Sequence, residues 1–363
     1  MKLRSPIIHG KPSNAGEVRL TANFLRFEPP EFSTARLLEE AKRLFGVAGS
    51  LEPLEGERDQ NHLLTTEDGA RFVLKVSAAS EDPGVVDFQI EALEHLERVA
   101  PDLPAPRVTP TLDGAPAGEI YGEDGATHKV RLLTYLEGIP HSDGREPSSE
   151  GLVGIGRFCG TLARVLADFQ HPSAQHFMPW DMNNGLLGSK NLWRHGNSDI
   201  AALESQLRPR FESLFAEDLK EARQQVAHFD LHRDNLLRPN ARDESVCGVI
   251  DFGDMVQGPL VCDPAIVAAS FSSQRDPVGG MAAAINGYHQ AYPLSEVELA
   301  LLYDLILARL VQTVLLTDFR LEETLNPPAF LTGLRAETME TVEMIMGLDG
   351  AAVTRAFHSA CRQ

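Results

Sequence analysis

The sequence has little cysteine, no long apolar run and few basic side chains for its length. Its four cysteines form no CxxC pair, so neither a disulfide framework nor a cysteine-ligated zinc site is expected, and reduced thiols in a cytoplasm are the default. The N-terminus, MKLRSPIIHGKPSNAGEV, carries no apolar core of signal-peptide length. No run reaches the roughly 18 apolar residues of a membrane span. These absences predict a cytoplasmic protein with no membrane partner.

The charge balance is strongly acidic. With 33 basic and 52 acidic side chains the formal net charge is −19, which argues against nucleic acid or an anionic membrane as the main partner. A small cationic substrate fits this charge, and an acidic surface that only keeps the protein soluble fits it equally well. The 363 residues allow two domains or lobes with a sizeable core.

The predicted secondary structure changes along the chain. After an N-terminal extension at 1–31, STARLLEEAKRLFG predicts a helix with Ser33 or Thr34 as its cap and Gly46 as its stop. Short strand-like runs follow, and RFVLKVS is the third strand. The later part is mainly helix-like, including DIAALESQLRPRFESLFAEDLKEARQQ, which ends at Gln225, apart from short strands between 226 and 254. We therefore predict a bilobal α+β protein: a small antiparallel β lobe at 32–137 with one helix inserted after its third strand, and a larger, mainly helical lobe at 138–363. Such a fold places its ligand between the lobes.

The segment HFDLHRDN concentrates polar side chains within short strands. A zinc site would use His228, Asp230 and His232, but H-x-D-x-H in an extended loop has no supporting ligand cluster elsewhere in the sequence. Alternatively, D-x-x-x-x-N supplies the carboxylate of Asp230 and the amide of Asn235 from one loop. The second interpretation is favoured by VIDFGD, which puts Asp251 at a glycine-bearing turn after a buried strand.

Transfer of a nucleotide γ-phosphoryl group needs few side chains, but in fixed places. A carboxylate orients the acceptor hydroxyl and takes its proton, hard oxygen ligands hold Mg²⁺ against the phosphates, and a cation meets the α- and β-phosphates. Asp230 fits the first role, Asn235 and Asp251 fit the second, and Lys75 in the strand RFVLKVS fits the third. The sequence therefore predicts a Mg²⁺-dependent kinase that uses ATP or GTP.

These motifs resemble those of the aminoglycoside phosphotransferase and choline kinase family of small-molecule kinases. The matching motifs are H-x-D-x-x-x-x-N, I-D-F-G-D and V-L-K, and the resemblance extends over residues 34–350. ERDQNHLLTTEDGARFVLKVS and IDFGDMVQGPLVCDPAIVAAS are most similar to the hydroxylysine kinase-like branch. The resemblance implies a bilobal, protein-kinase-like fold, in which the backbone of Thr134 and Leu136 forms the hinge that meets the purine edge. It also implies that His228 braces the catalytic loop and that Asp263 starts a helix and hydrogen-bonds back to that loop.

Three features depart from the family pattern. The loop expected to cover the phosphates has no G-x-G-x-x-G. We therefore expect Asn61 to shape the turn of this loop and Arg58 to contact the phosphates. Phe229 stands where relatives often have glycine, which requires room for a ring beneath the loop. Gln89 stands where the helix glutamate that pairs with the strand lysine belongs. Either Gln89 makes a neutral hydrogen bond to Lys75, or the register differs by one turn.

Two segments supply candidates for the acceptor site. WDMNNGLLGSKNLW is rich in aromatic and amide groups, so Trp180, Asp181 and Asn184 are candidate pocket residues, although a capped helix start explains D-M-N-N equally well. Asp304 and Arg309 interrupt an apolar helix, where charges are seldom buried without purpose. An acid for an ammonium and an arginine for a carboxylate fit an amino-acid substrate, and a surface salt bridge is the alternative.

The leading interpretation is a kinase for a hydroxyl of a small amine-bearing molecule, with a 5-hydroxylysine-like amino acid as first candidate. Another amino alcohol, such as homoserine, choline, ethanolamine or an aminoglycoside, is the alternative within the enzyme class. A nucleotide-binding pseudokinase is the alternative outside it, favoured by Gln89 and opposed by the retained lysine and acids. The sequence leaves the oligomeric state open.

Overall fold

The computed structural model describes residues 29–56, 58–182, 184, 186, 193, 198–272, 275–323, 327 and 329–362, so almost all of the predicted extension at 1–31 lies outside the described residues. The helices are α1 (Thr34–Phe45), α2 (Pro83–Val99), α3 (Ser149–Val165), α4 (Ser198–Ala216), α5 (Cys262–Ser270), α6 (Pro277–Ala291), α7 (Glu296–Glu323), α8 (Ala329–Met346) and α9 (Gly350–Cys361). The strands are β1 (Gly49–Leu54), β2 (Gln60–Thr66), β3 (Arg71–Val76), β4 (Val108–Thr109), β5 (Gly118–Tyr121), β6 (Thr127–Thr134), β7 (Ile139–Pro140), β8 (Gln224–Ala227), β9 (Leu236–Arg238), β10 (Gly248–Val249) and β11 (Val256–Pro259).

The N-terminal part is an antiparallel sheet with strand order β1-β2-β3-β6-β4, and β5 also pairs with β6. The amphipathic helix α1 contributes Leu37 and Phe45 to the core of this part. It begins at the predicted cap Ser33, whose hydroxyl oxygen accepts a hydrogen bond from the backbone N–H of Arg36. It ends at Gly46, whose left-handed backbone (φ 70°) glycine adopts at little cost. Both predicted ends of this helix are confirmed.

The helix α2 follows β3, as predicted, and packs against the C-terminal part. Phe88 stacks on Phe169 with ring centroids 6.0 Å apart. Leu93 and Leu96 are buried in the same large core as α3, α5, α6 and α7. Through this packing, α2 ties the sheet to the helical part and fixes the side chains that project from β3 and α2 toward the turn after β10.

The C-terminal part is built on closely packed helices. A Cβ at Gly156 of α3 would lie 1.9 Å from the carbonyl oxygen of Ala284, and one at Gly287 of α6 would lie 2.0 Å from that of Val153. These two helices therefore touch backbone to backbone. Among the described helices, α7 is long and apolar enough to cross a membrane, but 83% of its most apolar stretch is buried inside the protein, so it is a core helix.

Two small sheets frame the segment HFDLHRDN. One pairs β8 with β11, the other has the order β10-β9-β7, and the segment connects β8 to β9. Helical periodicity predicted that the helix α4 continues through Gln225, but α4 ends at Ala216, and Gln224 and Gln225 pair with Pro259 and Gly258 in the first of these sheets. Long-range strand pairing therefore overrides the local helical pattern here. The α+β, bilobal class is confirmed, and the lobe limits 32–137 and 138–363 stay a prediction.

Candidate active site

Most of the predicted site residues line one large cleft with a volume of ≈ 1460 Å³. Those that line it are Arg58, Asn61, Lys75, Gln89, Thr134, Leu136, Trp180, Asp230, Asn235, Asp251 and Arg309. His228 and Asp263 are fully buried beside it. Asp181 and Asn184 are described, but they do not belong to the lining. Asp304 lines a different cavity of ≈ 420 Å³.

Asp230 is an almost buried carboxylate, 9% exposed, with both oxygens engaged. Its Oδ1 accepts a hydrogen bond from Arg309 Nη2 at 2.6 Å, and its Oδ2 accepts one from Asn235 Nδ2 at 2.7 Å. His232 Nε2 lies 3.2 Å from Oδ2. Burial by itself raises the pKa of Asp230, but the charges of His232 and Arg309 outweigh burial and hold the pKa well below its usual range. Asp230 is therefore ionised and held in one orientation.

The segment that carries Asp230 is held from beneath by two buried side chains. Asp263, at the start of α5, accepts hydrogen bonds from the backbone N–H groups of His228 at 3.3 Å and Phe229 at 2.8 Å. His228 Nδ1 accepts from the backbone N–H of Asp230 at 3.3 Å, which places the ring proton on Nε2, 3.1 Å from the carbonyl oxygen of Ile250. Burial lowers the pKa of His228, so the ring is neutral. Because the backbone uses both ring nitrogens, the zinc alternative through His228 is wrong.

Phe229, the residue found in place of the expected glycine, has a left-handed backbone with φ 60°. Non-glycine residues adopt this conformation at a cost, and the hydrogen bond to Asp263 offsets part of that cost. The Phe229 ring is fully buried and packs against Gly258 in β11. A Cβ at Gly258 would lie only 2.5 Å from Phe229 Cζ. A glycine in the neighbouring strand therefore makes the room that the phenylalanine requires.

We expect Gly258→Ala to lower the free energy of unfolding by about 1–3 kcal/mol, because the added methyl group overpacks the site against a rigid ring. In a Phe229→Leu background, the same change should cost less, since the shorter side chain leaves space for it. Urea denaturation of the two single variants and the double variant measures this coupling. Additive effects would show that the ring and Gly258 are independent.

Asp251 and Asn235 present oxygen atoms to the same part of the cleft. Asp251 follows β10 in a left-handed conformation (φ 60°, ψ 71°), and its side chain is 55% exposed. The amide nitrogen of Asn235 donates to Asp230, so the amide oxygen is the atom of this side chain that could ligate a metal. One carboxylate and one amide oxygen fit Mg²⁺, which keeps most of its ligands from water and substrate phosphates. The described residues include no group of three or more His, Cys, Asp or Glu side chains placed to hold a metal.

Lys75 is paired with acids, but not from the helix α2. Its Nζ lies 3.6 Å from Asp59 Oδ2 and 3.9 Å from Asp251 Oδ1. The predicted hydrogen bond between Gln89 and Lys75 is not what the structure has, and no α2 residue one turn away pairs with the lysine within the described chain. Both expected arrangements are therefore wrong, because the acid that contacts Lys75 is Asp59, from the loop before β2.

Gln89 instead joins β6 to the turn after β10. Its Oε1 accepts a hydrogen bond from Arg131 Nη1 at 2.5 Å, and its Nε2 donates one to the carbonyl oxygen of Gly253 at 3.2 Å. Arg131, 4% exposed, also contacts Asp59 Oδ2 at 2.8 Å. Asp59 and Arg131 were missed by sequence reasoning. The one available signal was an arginine flanked by valine and leucine in the strand KVRLL.

The loop between β1 and β2 is closed over the edge of the cleft. Asn61 Nδ2 donates a hydrogen bond to the carbonyl oxygen of Glu55 at 3.2 Å, so Asn61 shapes the turn. Arg58 forms an ion pair with Asp254 and lies 3.5 Å from Met178 Sδ. In this arrangement the Arg58 guanidinium contacts the segment after Asp251 and lies at the mouth of the expected phosphate site.

The expected hinge lies at the end of β6. The backbone N–H of Thr134 donates to the carbonyl oxygen of Arg107 at 2.9 Å, and the N–H of Tyr135 donates to that of Arg71 at 3.2 Å. The Thr134 hydroxyl oxygen accepts from Arg107 N at 2.8 Å. These bonds fix the chain direction, and Leu136 follows directly at the wall of the cleft.

The far end of the cleft carries arginines around Trp180. The guanidinium carbons of Arg309 and Arg320 lie 4.7 and 5.5 Å from the centre of the Trp180 indole ring. Asp304 pairs with Arg210 instead, so its predicted role at the acceptor site is wrong. Positions 304 and 309 of α7 are separated by about 500° of helical turn, which leaves them about 140° apart around the axis. They therefore face different cavities.

Comparison with known proteins agrees with this geometry. The model of the phosphotransferase enzyme family matches residues 50–295. A hydroxylysine kinase of Danio rerio is 28% identical over 306 residues, covering 80% of this chain and 84% of the relative. A homoserine kinase of Zymomonas mobilis is 25% identical over 270 residues, covering 73% and 78%. The solved structure of amicoumacin kinase hAmiN, in complex with AMP-PNP, Ca²⁺ and Ami, has a TM-score of 0.68 at 16% identity and covers 88% of this chain and 97% of its own.

The last of these similarities establishes the fold, and the family match extends over more than half of the chain. The resemblance predicted from the sequence motifs is confirmed, and so is the enzyme class. The chain belongs to the phosphotransferase enzyme family and is a small-molecule kinase that phosphorylates a hydroxyl group.

Proposed function

We propose that this kinase uses Mg²⁺ and ATP or GTP to phosphorylate a hydroxylated amino acid, with 5-hydroxylysine as the first candidate. The observation that carries the proposal is the position of Asp230. Its carboxylate is hydrogen-bonded on one side to Asn235, where the metal and phosphates are proposed to bind, and on the other side to Arg309, which with Arg320 flanks Trp180. An acceptor bound on the second side and phosphates bound on the first would meet at Asp230.

In the proposed reaction the acceptor hydroxyl attacks the γ-phosphorus, and the bond from that phosphorus to the β–γ bridging oxygen breaks. Asp230 orients the hydroxyl and takes its proton as the new O–P bond forms. Because its pKa lies well below the usual range, Asp230 stays ionised over the working pH range and contributes mainly by orientation. Mg²⁺, held by Asn235 and Asp251 together with the phosphates, would neutralise charge on the transferred group.

The nucleotide would lie along β3 and the end of β6. Lys75 would contact the α- and β-phosphates, and Asn61 and Arg58 would line the loop above them. The Thr134 N–H is already bonded to Arg107, so Thr134 would offer its carbonyl oxygen to the purine and Leu136 its backbone groups. Because these hinge contacts would use backbone atoms, they do not by themselves distinguish ATP from GTP.

The acceptor end of the cleft contains charges of both signs. Arg320 and Arg309 adjoin Trp180, and the helix α8 contributes Glu337 and Glu340 to the lining. A guanidinium pairs well with a carboxylate, and glutamates pair with ammonium groups. Arg309 also bonds Asp230, which would link acceptor position to the catalytic carboxylate. The two named relatives, a hydroxylysine kinase and a homoserine kinase, support an acceptor that carries both groups.

Initial rates with MgATP and MgGTP, for 5-hydroxylysine, homoserine, ethanolamine, choline and an aminoglycoside, test the proposal. The sharpest comparison pairs 5-hydroxylysine with the diamino alcohol that remains when its carboxylate is removed. We expect kcat/KM to fall by about 10²-fold or more for the second compound, because it cannot form the charge-assisted hydrogen bonds that the carboxylate would make with the arginine side chain.

The variant Arg320→Ala tests whether this side chain binds the carboxylate of the acceptor. It should raise KM for the amino acid by about 10- to 100-fold and leave KM for the diamino alcohol nearly unchanged. Equal turnover of both compounds by the wild-type enzyme would exclude an amino acid as the preferred acceptor and favour a simple amino alcohol.

A further inference from the structure

We infer that Asp59 is the residue that positions Lys75 for the nucleotide phosphates, in place of an acid on the helix α2. The inference rests on the proposed phosphate role of Lys75. Asp59 stands in the loop before β2, and its side chain is 15% exposed. It contacts both Lys75 and Arg131, at 3.6 and 2.8 Å.

The strand register of the sheet places two cations next to each other, and Asp59 neutralises part of their charge. Lys75 on β3 and Arg131 on β6 are directly opposite each other in the antiparallel register. Like charges in this relation destabilise a sheet unless an anion lies between them. Asp59 Oδ2 lies within ion-pair distance of both cations. Burial by itself raises the pKa of Asp59, but Arg131, Lys75 and Arg58 outweigh it and lower the pKa, so the carboxylate is ionised.

The other acids in this region either pair with different side chains or stand at the proposed metal site. Asp251 is 55% exposed and stands at the turn proposed to hold the metal, so its contact with Lys75 competes with metal binding. The α2 acids that flank Gln89 point elsewhere. Asp87 bonds Lys129 at 2.5 Å, and Glu91 lies 3.7 Å from His171. With metal and nucleotide bound, Asp59 is the acid that stays beside the lysine.

Gln89 fits this arrangement better than glutamate would. Its amide accepts from Arg131 and donates to the carbonyl oxygen of Gly253. A glutamate can accept but cannot donate, so it would lose the bond to Gly253 and repel that carbonyl. The helix therefore supplies a neutral link, and the charge that holds Lys75 comes from the loop. Since Arg58 and Asp59 are adjacent, the loop proposed to cover the phosphates also sets the position of the lysine beneath them.

Binding of AMP-PNP and of adenosine to Asp59→Asn tests the inference. Adenosine has no phosphates, so a positioning role through Lys75 affects AMP-PNP alone. We expect Kd for AMP-PNP to rise by about 10- to 100-fold and Kd for adenosine to stay within about twofold of wild type. Glu52→Gln, an exposed neutralisation on the neighbouring strand β1, is the matched control and should change neither value.

Conservative variants distinguish charge from shape. Asp59→Glu should retain most of the affinity for AMP-PNP, whereas Asp59→Gln, of equal size, should lose it. This pair also carries the test if Asp59→Asn does not fold. Equal weakening of adenosine and AMP-PNP, or equal behaviour of the two size-matched variants, would overturn the inference.

Lys75→Met separates this inference from the proposed function. If Lys75→Met weakens AMP-PNP and Asp59→Asn does not, Asp59 is not the positioning residue and the proposed function stands. If Lys75→Met itself leaves AMP-PNP binding unchanged, the phosphate role of Lys75 fails, and the inference about Asp59 fails with it.

Discussion

Asp230→Asn is expected to lower kcat by about 10³-fold or more while Kd for AMP-PNP stays within about twofold of wild type. Both carboxylate oxygens accept hydrogen bonds, from Arg309 and Asn235, so the amide fits the same volume but keeps only one of these two bonds. It cannot take a proton from the acceptor hydroxyl, and it carries no charge to hold that hydroxyl in line. The nucleotide contacts proposed for Lys75 and the hinge do not depend on it.

The comparison variant for this prediction is Asp234→Asn. Asp234 belongs to the same loop, its side chain is 57% exposed, and its Oδ2 lies 3.0 Å from His232 Nδ1. We expect its kcat to change by less than about tenfold, because it touches neither the acceptor position nor the metal ligands. Steady-state kinetics and AMP-PNP titration measure both variants. An Asp230→Asn enzyme with near wild-type kcat would remove Asp230 from the chemistry.

The second large effect is expected for Asp251→Asn. Asp251 is the charged member of the proposed Mg²⁺ ligand pair, and Asn235 is neutral. Its loss should raise the Mg²⁺ concentration for half-maximal rate by about tenfold or more and lower kcat by about 10²-fold or more. The rate measured against Mg²⁺ concentration, at saturating nucleotide and acceptor, gives both numbers.

Asp254→Asn is the matched variant for the metal site. Asp254 lies three positions further along the chain, is buried, and pairs with Arg58. Its neutralisation should leave the Mg²⁺ dependence near that of wild type, although it releases Arg58. An unchanged Mg²⁺ dependence in Asp251→Asn, or a larger change in Asp254→Asn, would move the metal site away from Asp251.

Local sequence predicted the parts of the site that depend on a few consecutive residues. Asp230 and Asn235 lie in one loop, so their spacing alone brings the amide to the carboxylate. The cap at Ser33 and the stop at Gly46 are equally local. The roles of His228 and Asp263 follow from the family resemblance, and in the structure both side chains accept hydrogen bonds from backbone N–H groups of residues 228–230.

Contacts that arise only when distant elements meet were not predictable in the same way. The pairing of Lys75 with Asp59 depends on the register of β3 and β6 and on the course of the loop before β2. Gly258 explains Phe229, yet it belongs to a strand whose pairing with β8 the sequence did not reveal. Asp304 was assigned to the acceptor site because it shares an apolar helix with Arg309, and only the packed helix shows that they face different cavities.

The most direct test of the central claim is phosphorus NMR of the wild-type enzyme with MgATP or MgGTP and 5-hydroxylysine. Transfer to the hydroxyl predicts one new phosphomonoester resonance, coupled to the carbinol proton, which grows as the γ-phosphate resonance disappears. The same sample with Asp230→Asn should show neither change. Release of inorganic phosphate alone, at the same rate with and without the amino acid, would contradict phosphoryl transfer to a hydroxylated amino acid.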